Sequence, residues 1–311
     1  MKIISLYNFD ETKQNQIRSY GTYEYYKSIN EAQIEDCDIL IGNTKPELLK
    51  YGKNLKWVQL YSAGNDNYTE DDLPQDAVLT NASGTFGRTI SEHLVLYTLA
   101  LMRNMKHYAL TQEEHKWEPI HKTQLIYGST FVILGTGDLG AHYASAIKAL
   151  GGYTIGVRKR SRDLVEGFDE MFTIDELDTL LPRADVVVMA LPKHTSTNAV
   201  MGLKQLELMK KGSYLLNVGR GNAIDQDALI RVLEKNHFGG VHLDVYEEEP
   251  LDAKSKLWDF DNVVLTPHVS GTFANKETRR LFEELVLDNL ERFSSGEELR
   301  NIVDFKIGYR Q

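Results

Sequence analysis

The chain has 311 residues, more than one domain usually holds, with 42% apolar and 26% charged residues and a formal charge of −10, the composition of a soluble two-domain globular protein. That negative charge excludes a general binder of nucleic acid or acidic membrane, because both reward a positive surface. A single cysteine, Cys37, excludes an intramolecular disulfide and a thiolate-rich zinc site, so no metal centre is expected and a reducing cytoplasm is the expected compartment.

The apolar run at the N-terminus, Lys2 to Tyr7, soon meets Asn8, Asp10 and Glu11. It is too short for a signal peptide or a membrane span and reads as a first buried strand. Asp38–Ile41 and Trp57–Leu60 read as further buried strands, with polar helical stretches between them, which predicts an α/β layer. A largely apolar helix is predicted from about Thr89 to Met105.

Beyond it the pattern becomes regular. Strand-like runs occur at Phe131–Leu134, Tyr153–Val157, Val186–Ala190, Tyr214–Val218, Val241–Val245 and Val263–Thr266. Helical segments such as Asp138–Leu150 and Asp225–Lys235 lie between several of them. That alternation predicts a doubly wound parallel sheet of the Rossmann type. An amphipathic helix from about Lys276 to Phe293 follows and is expected to return the chain to the first domain.

Gly135-Thr136-Gly137-Asp138-Leu139-Gly140 is a G-x-G-x-x-G. Such turns are common by themselves, but here a buried strand precedes and a helix-spaced run (Leu139, Tyr143, Ile147, Leu150) follows. The first glycine permits the tight turn, the second admits a pyrophosphate, and the third lets helix and sheet pack closely. A diphosphate would then rest on the amides and positive dipole of the helix N-terminus.

The next strand ends in Arg158-Lys159-Arg160-Ser161-Arg162, where an acid would bind the ribose hydroxyls of NAD. Guanidinium groups there can grip a 2′-phosphate, so NADP(H) is the preferred cofactor on this reading and NAD(H) the alternative.

Ligands of open α/β sheets bind beyond the carboxyl ends of the strands. Three side chains follow strand ends there: Arg220 between Gly219 and Gly221, Glu249 in an acidic run, and His268 after Pro267. An arginine can pair with the carboxylate of a 2-oxo acid and polarise its carbonyl. A histidine can supply the proton as hydride arrives, and a neighbouring glutamate favours the imidazolium and holds the ring. Each residue singly is an ordinary loop residue; their ordered coincidence with a dinucleotide turn carries the reading. His93, His194 and His242 have no comparable context and are expected to be structural or packed.

These residues resemble the D-isomer-specific 2-hydroxyacid dehydrogenase family. The resemblance covers Gln59-Leu60-Tyr61-Ser62-Ala63-Gly64, Asn81-Ala82-Ser83-Gly84, the glycine turn, Ala184-Asp185-Val186-Val187-Val188 and Leu191-Pro192 with Thr197. It continues through Asn217-Val218-Gly219-Arg220-Gly221, Leu243-Asp244-Val245-Tyr246 with Glu249-Pro250, and Thr266-Pro267-His268.

The resemblance implies that Arg220, Glu249 and His268 are catalytic. It implies that amides at Ser62, Ala63 and Gly64 help hold the substrate carboxylate. Leu191, Pro192, Thr197, Val218, Gly219 and Gly271 are implied to line the cofactor cleft, and Asp244 to face the nicotinamide. It further implies a smaller, flavodoxin-like α/β substrate domain made of 1–98 and 286–311, a Rossmann domain at 99–285, a hinge, and a homodimer joined through the nucleotide-binding domains. The basic stretch is similar to that of the NADPH-preferring glyoxylate/hydroxypyruvate reductase branch. A small 2-oxo or 2-hydroxy acid is the expected substrate. The alternatives are an NAD-linked dehydrogenase of phosphoglycerate or lactate, and a non-catalytic dinucleotide sensor of the same fold.

Overall fold

A computed structural model describes residues 1–159, 161–305 and 309–310. The chain forms two compact units, one of residues 1–86 and 273–311 and one of residues 87–272.

In the smaller unit the strands β1 (Lys2–Ser5), β2 (Thr22–Tyr25), β3 (Ile39–Ile41), β4 (Trp57–Gln59) and β5 (Val78–Thr80) form one sheet in the order β2-β1-β3-β4-β5. All pairs are parallel, and this is the flavodoxin-like order. β1, β3 and β4 are buried on both faces, which is why they read as apolar runs. β2 buries only Tyr23 of its four residues and left no such run in the sequence.

The larger unit holds β6 (Thr130–Leu134), β7 (Tyr153–Arg158), β8 (Glu170–Thr173), β9 (Val186–Met189), β10 (Tyr214–Asn217), β11 (Gly240–Leu243) and β12 (Val263–Leu265). Their order is β12-β11-β10-β9-β6-β7-β8, parallel throughout. This is the doubly wound Rossmann arrangement with one strand added at the β12 edge. β8, at the opposite edge, buries only Met171 and was not anticipated.

The unit boundaries correct the sequence-based ones at 98/99 and 285/286, because each expected boundary cuts a helix that packs as a whole. In helix Gly87–Met102, Leu94, Leu101 and Met102 join Phe131, Ile133, Tyr143 and Val186 in the core of the larger unit. In helix Lys276–Ser295, Phe282, Val286 and Leu290 join Ile3, Phe9, Ile17 and Trp57 in the core of the smaller. Burying the apolar stripe of a whole helix outweighs any local breaker inside it. The first helix ends at Met102 rather than Met105, because Asn104 adopts a left-handed φ of 55° before a second helix, Met105–Glu113. Among the described residues, no helix is long and apolar enough to cross a membrane.

Candidate active site

The glycine turn lies at the switch point of the larger sheet, where the order reverses between β6 and β9. Gly135 has a φ of +100°, and a Cβ there would lie 2.5 Å from the Ala190 carbonyl oxygen. At Gly140 a Cβ would lie 2.0 Å from the Gly135 carbonyl oxygen, so the helix starts against the turn itself. Gly137 is different: beyond its own chain neighbours, no atom of the described residues lies within 4 Å of where its Cβ would be. It caps helix Asp138–Ala149, whose first-turn N–H groups have no intrahelical partner. Open space beside orphan amides and a positive helix end fits a diphosphate. Asp138 and Leu139 open that helix; the Asp138 carboxylate lies 3.2 Å from His142 Nδ1.

Arg158 ends β7, with its Nε donating to the Ser161 carbonyl and its Nη2 to Ser161 Oγ and the Asp163 carbonyl, each at 2.9 Å. Arg162 pairs with Glu176. Lys159 is exposed, and Arg160 lies outside the described residues. After β9, Leu191 and Pro192 lead into a turn closed by Thr197, whose Oγ1 donates to the Pro192 carbonyl at 2.9 Å.

After β10, Val218 is buried and Arg220 stands between two tightly held glycines. A Cβ at Gly219 would lie 2.6 Å from the Leu191 carbonyl oxygen, and one at Gly221 would lie 1.8 Å from the Tyr246 carbonyl carbon. Asn217 shapes this loop: its Nδ2 donates to the Arg220 carbonyl at 3.0 Å, and its Oδ1 accepts from Gly219 N at 3.1 Å. The Arg220 Nη1 donates to the Gly219 carbonyl at 2.8 Å.

His268 and Glu249 meet directly, Nδ1 to Oε2, at 2.7 Å. The other carboxylate oxygen of Glu249 accepts from Tyr246 N at 3.1 Å, so both oxygens are held. With Nδ1 occupied, the ring presents Nε2 to any substrate. His268 itself has a left-handed φ of 53°, a conformation costing a β-carbon residue roughly 1–2 kcal/mol. Its N–H donates to the Asp244 carbonyl at 2.9 Å, which fixes the bend.

Asp244 is fully buried. Burial alone would raise its pKa, but donors from Ser270, Thr266 and Val269 outweigh it and hold the carboxyl below its usual range. Thr266 Oγ1 donates to Oδ1 at 2.6 Å, Val269 N to the same oxygen at 2.9 Å and Ser270 N to Oδ2 at 3.0 Å. This charged carboxylate therefore anchors the segment that carries His268; Gly271 follows directly and is exposed. The anchoring by Thr266 and Ser270 was missed from the sequence, as was the shaping role of Asn217. The Asn217-x-Gly219 spacing of an Asx turn was the available signal.

In the smaller unit, Ser62, Ala63 and Gly64 follow β4. Asn43 Nδ2 donates to Ser62 Oγ at 2.8 Å and Asn81 Nδ2 to the Ala63 carbonyl at 2.9 Å. Ser62 Oγ donates in turn to the Gly64 carbonyl at 2.6 Å. These side chains leave a shaped loop of three consecutive backbone N–H groups.

His93 and His242 have a role in packing. His242 Nδ1 lies 3.1 Å from the Val264 carbonyl, which can only accept, so the ring is the Nδ1–H tautomer. Its Nε2 then accepts from His93 Nε2 at 3.0 Å, and Tyr97 stacks on its face with ring centroids 3.9 Å apart. Burial, helped by His93, pulls the His242 pKa down to about 3. The unfolded chain therefore binds this proton below about pH 6.5 and the native protein does not. Stability from this site is present above that pH and is lost as pH falls toward 3. Between pH 7 and 5 the loss of unfolding free energy should be smaller by about 2 kcal/mol in His242→Asn than in the native protein. Urea denaturation at the two pH values measures it, and equal losses would remove this account.

With this geometry, the comparisons agree in one direction. Residues 95–270 match the family model described as D-isomer specific 2-hydroxyacid dehydrogenase, NAD binding domain. A glyoxylate/hydroxypyruvate reductase B from Pectobacterium carotovorum is 30% identical over 270 residues, covering 85% of this chain and 83% of the relative. A D-isomer specific 2-hydroxyacid dehydrogenase family protein from Aeromonas salmonicida superposes with a TM-score of 0.86 at 31% identity, covering 98% of this chain and 99% of that one. An NADPH-dependent glyoxylate/hydroxypyruvate reductase from Sinorhizobium meliloti, solved with NADP and sulfate, superposes with a TM-score of 0.83 at 26% identity, covering 99% of each. The chain thus belongs to the D-isomer specific 2-hydroxyacid dehydrogenase family and is an oxidoreductase that works with a nicotinamide dinucleotide.

Proposed function

We propose that this enzyme reduces a small 2-oxo acid to the D-2-hydroxy acid with NADP(H), with glyoxylate or hydroxypyruvate as the substrate. The observation that carries the reading is the 2.7 Å contact between His268 Nδ1 and Glu249, with Arg220 placed after a neighbouring strand of the same sheet edge. Gly135, Gly137, Asp138, Leu139 and Gly140 would hold the diphosphate. Leu191, Pro192, Thr197, Val218, Gly219 and Gly271 would line the rest of the cofactor cleft, and Asp244 the nicotinamide side. The bound dinucleotide supplies the hydride.

The chain's own residues do the remaining work. Arg220 pairs with the substrate carboxylate and polarises the carbonyl beside it, and N–H groups of Ser62, Ala63 and Gly64 help hold the carboxylate. Negative charge grows on the carbonyl oxygen during reduction, and His268 delivers a proton to it from Nε2. Glu249 keeps the ring oriented and compensates the imidazolium before the proton leaves.

The NADP(H) preference rests on Arg158 and Lys159 at the end of β7, and on Arg160. A second reading, NAD(H) as the working cofactor, is favoured by the donors that Arg158 already gives to Ser161 and Asp163 and by the pairing of Arg162 with Glu176.

A homodimer through the nucleotide-binding domains is supported by exposed apolar side chains on the larger unit. Leu96 and Leu99 lie on one helix, Leu110 on the next, and Trp117 is 96% exposed beyond it. Large apolar side chains exposed on consecutive elements suit an interaction face.

Steady-state kinetics with glyoxylate, hydroxypyruvate, pyruvate and phosphohydroxypyruvate, each with NADPH and NADH, tests the proposal. Turnover should be fastest with one of the first two substrates and NADPH. No consumption of either cofactor with any of the four acids would overturn it.

A further inference from the structure

The ends of β7 and β9 meet at the glycine turn. Gly135 N donates to the Val157 carbonyl at 2.9 Å, and a Cβ on its other side would strike the Ala190 carbonyl. β6 is the one strand between them, and neighbouring strands lie about 4.8 Å apart. A dinucleotide seated at this switch point is therefore flanked by the residues after Val157 and by those after Ala190. The first set begins with Arg158; the second is Leu191, Pro192 and Lys193.

Two cations on the β7 side, Arg158 and Arg162, are engaged with the protein, whereas Lys159 is exposed. Arg158 gives its Nε and Nη2 hydrogens to its own loop. Arg162 pairs with Glu176 and lies over the Phe172 ring, 5.6 Å from its centroid. Asp163 adds a carboxylate 3.8 Å from Arg158, where it opposes a second anion. Lys193 differs from both arginines. It is exposed, and its ammonium makes no ion pair or hydrogen bond among the described residues. The turn beneath it is pinned: His194 N donates to Thr197 Oγ1 at 3.0 Å, and Ser196 N to His194 Nδ1 at 3.0 Å. The backbone around Lys193 is fixed, and only its flexible stem remains to be ordered by a ligand.

We propose that Lys193 supplies an ammonium to the 2′-phosphate of NADP(H), completing from the β9 side a site that Arg158 and Lys159 begin on the β7 side. The assignment rests on the NADP(H) reading above. The phosphate is a dianion with three acceptor oxygens, and a compact ammonium on a four-carbon stem can reach it without the planar register a guanidinium needs. NADH carries a neutral hydroxyl at that place, so the same lysine gains little from it.

Calorimetric titration of the purified protein with NADPH, NADH and adenosine 2′,5′-bisphosphate tests this. Lys193→Met should weaken NADPH and the bisphosphate about tenfold, the loss of one charge-assisted hydrogen bond, and should weaken NADH far less. Lys193→Arg should restore part of the loss. If the native protein prefers NADPH and Lys193→Met binds it equally well, or loses NADPH and NADH alike, the assignment falls alone. If the native protein binds NADH as tightly as NADPH, the cofactor reading falls and takes the assignment with it.

Discussion

Replacing His268 by glutamine is expected to lower kcat for 2-oxo acid reduction by about 10²- to 10⁴-fold, with dinucleotide affinity nearly unchanged. Glutamine keeps a hydrogen-bonding end but cannot carry a proton between states. The dinucleotide would lose little, because the glycine turn and the end of β7 belong to other segments of the sheet edge. Glu249→Gln should give a smaller fall. Tyr246 N can still donate to a carboxamide oxygen in place of Oε1, yet the charged partner at 2.7 Å from Nδ1 is gone. Single-turnover reduction and fluorescence titration of the cofactor separate the two effects. A folded His268→Gln enzyme with near-normal kcat would remove the proton-donor assignment.

Arg220→Lys is expected to reduce kcat/KM for the oxo acid by about 10²- to 10³-fold, through both a higher KM and a lower kcat. A conservative exchange is this costly because the loop has no slack. Gly219 is pressed against Leu191 and Gly221 against Tyr246, so the backbone cannot shift to bring an ammonium where the guanidinium was. A lysine also offers a point charge in place of a planar fork. Asn217, which closes the loop through Arg220 and Gly219, should keep its shape in the variant. Substrate titrations at saturating cofactor measure the change. A kcat/KM close to that of the native enzyme would dissociate Arg220 from the oxo acid.

The sequence reveals the proposed catalytic pair only in part. His268 and Glu249 lie 19 positions apart, and nothing in their spacing predicts a contact. Both follow ends of parallel strands, however, and parallel order sends all such ends to one edge. The legible part was thus topological: apolar runs, a glycine turn between a strand and a helix, and polar side chains after strand ends. The left-handed bend at His268 was not legible, nor was the buried carboxylate that anchors it. The anchoring Thr266, Val269 and Ser270 look ordinary in sequence, and two of the bonds come from backbone N–H groups. The two buried histidines show the same limit: no local rule pairs His93 with His242, 149 residues away.

By itself, the sequence determined the doubly wound sheet of the larger unit and the place of its dinucleotide turn, because central parallel strands are apolar on both faces and glycines at that spacing answer steric needs within a few residues. Tertiary structure decided the edge strands β2 and β8, which bury one residue each and leave no periodic trace. It decided where the two units divide, because a helix joins the unit against which its whole apolar stripe is buried. It also decided which cations of the basic stretch keep their charge available: a guanidinium held by Ser161, Asp163 or Glu176 looks the same in sequence as one held by water, and only distances of a few ångströms separate them.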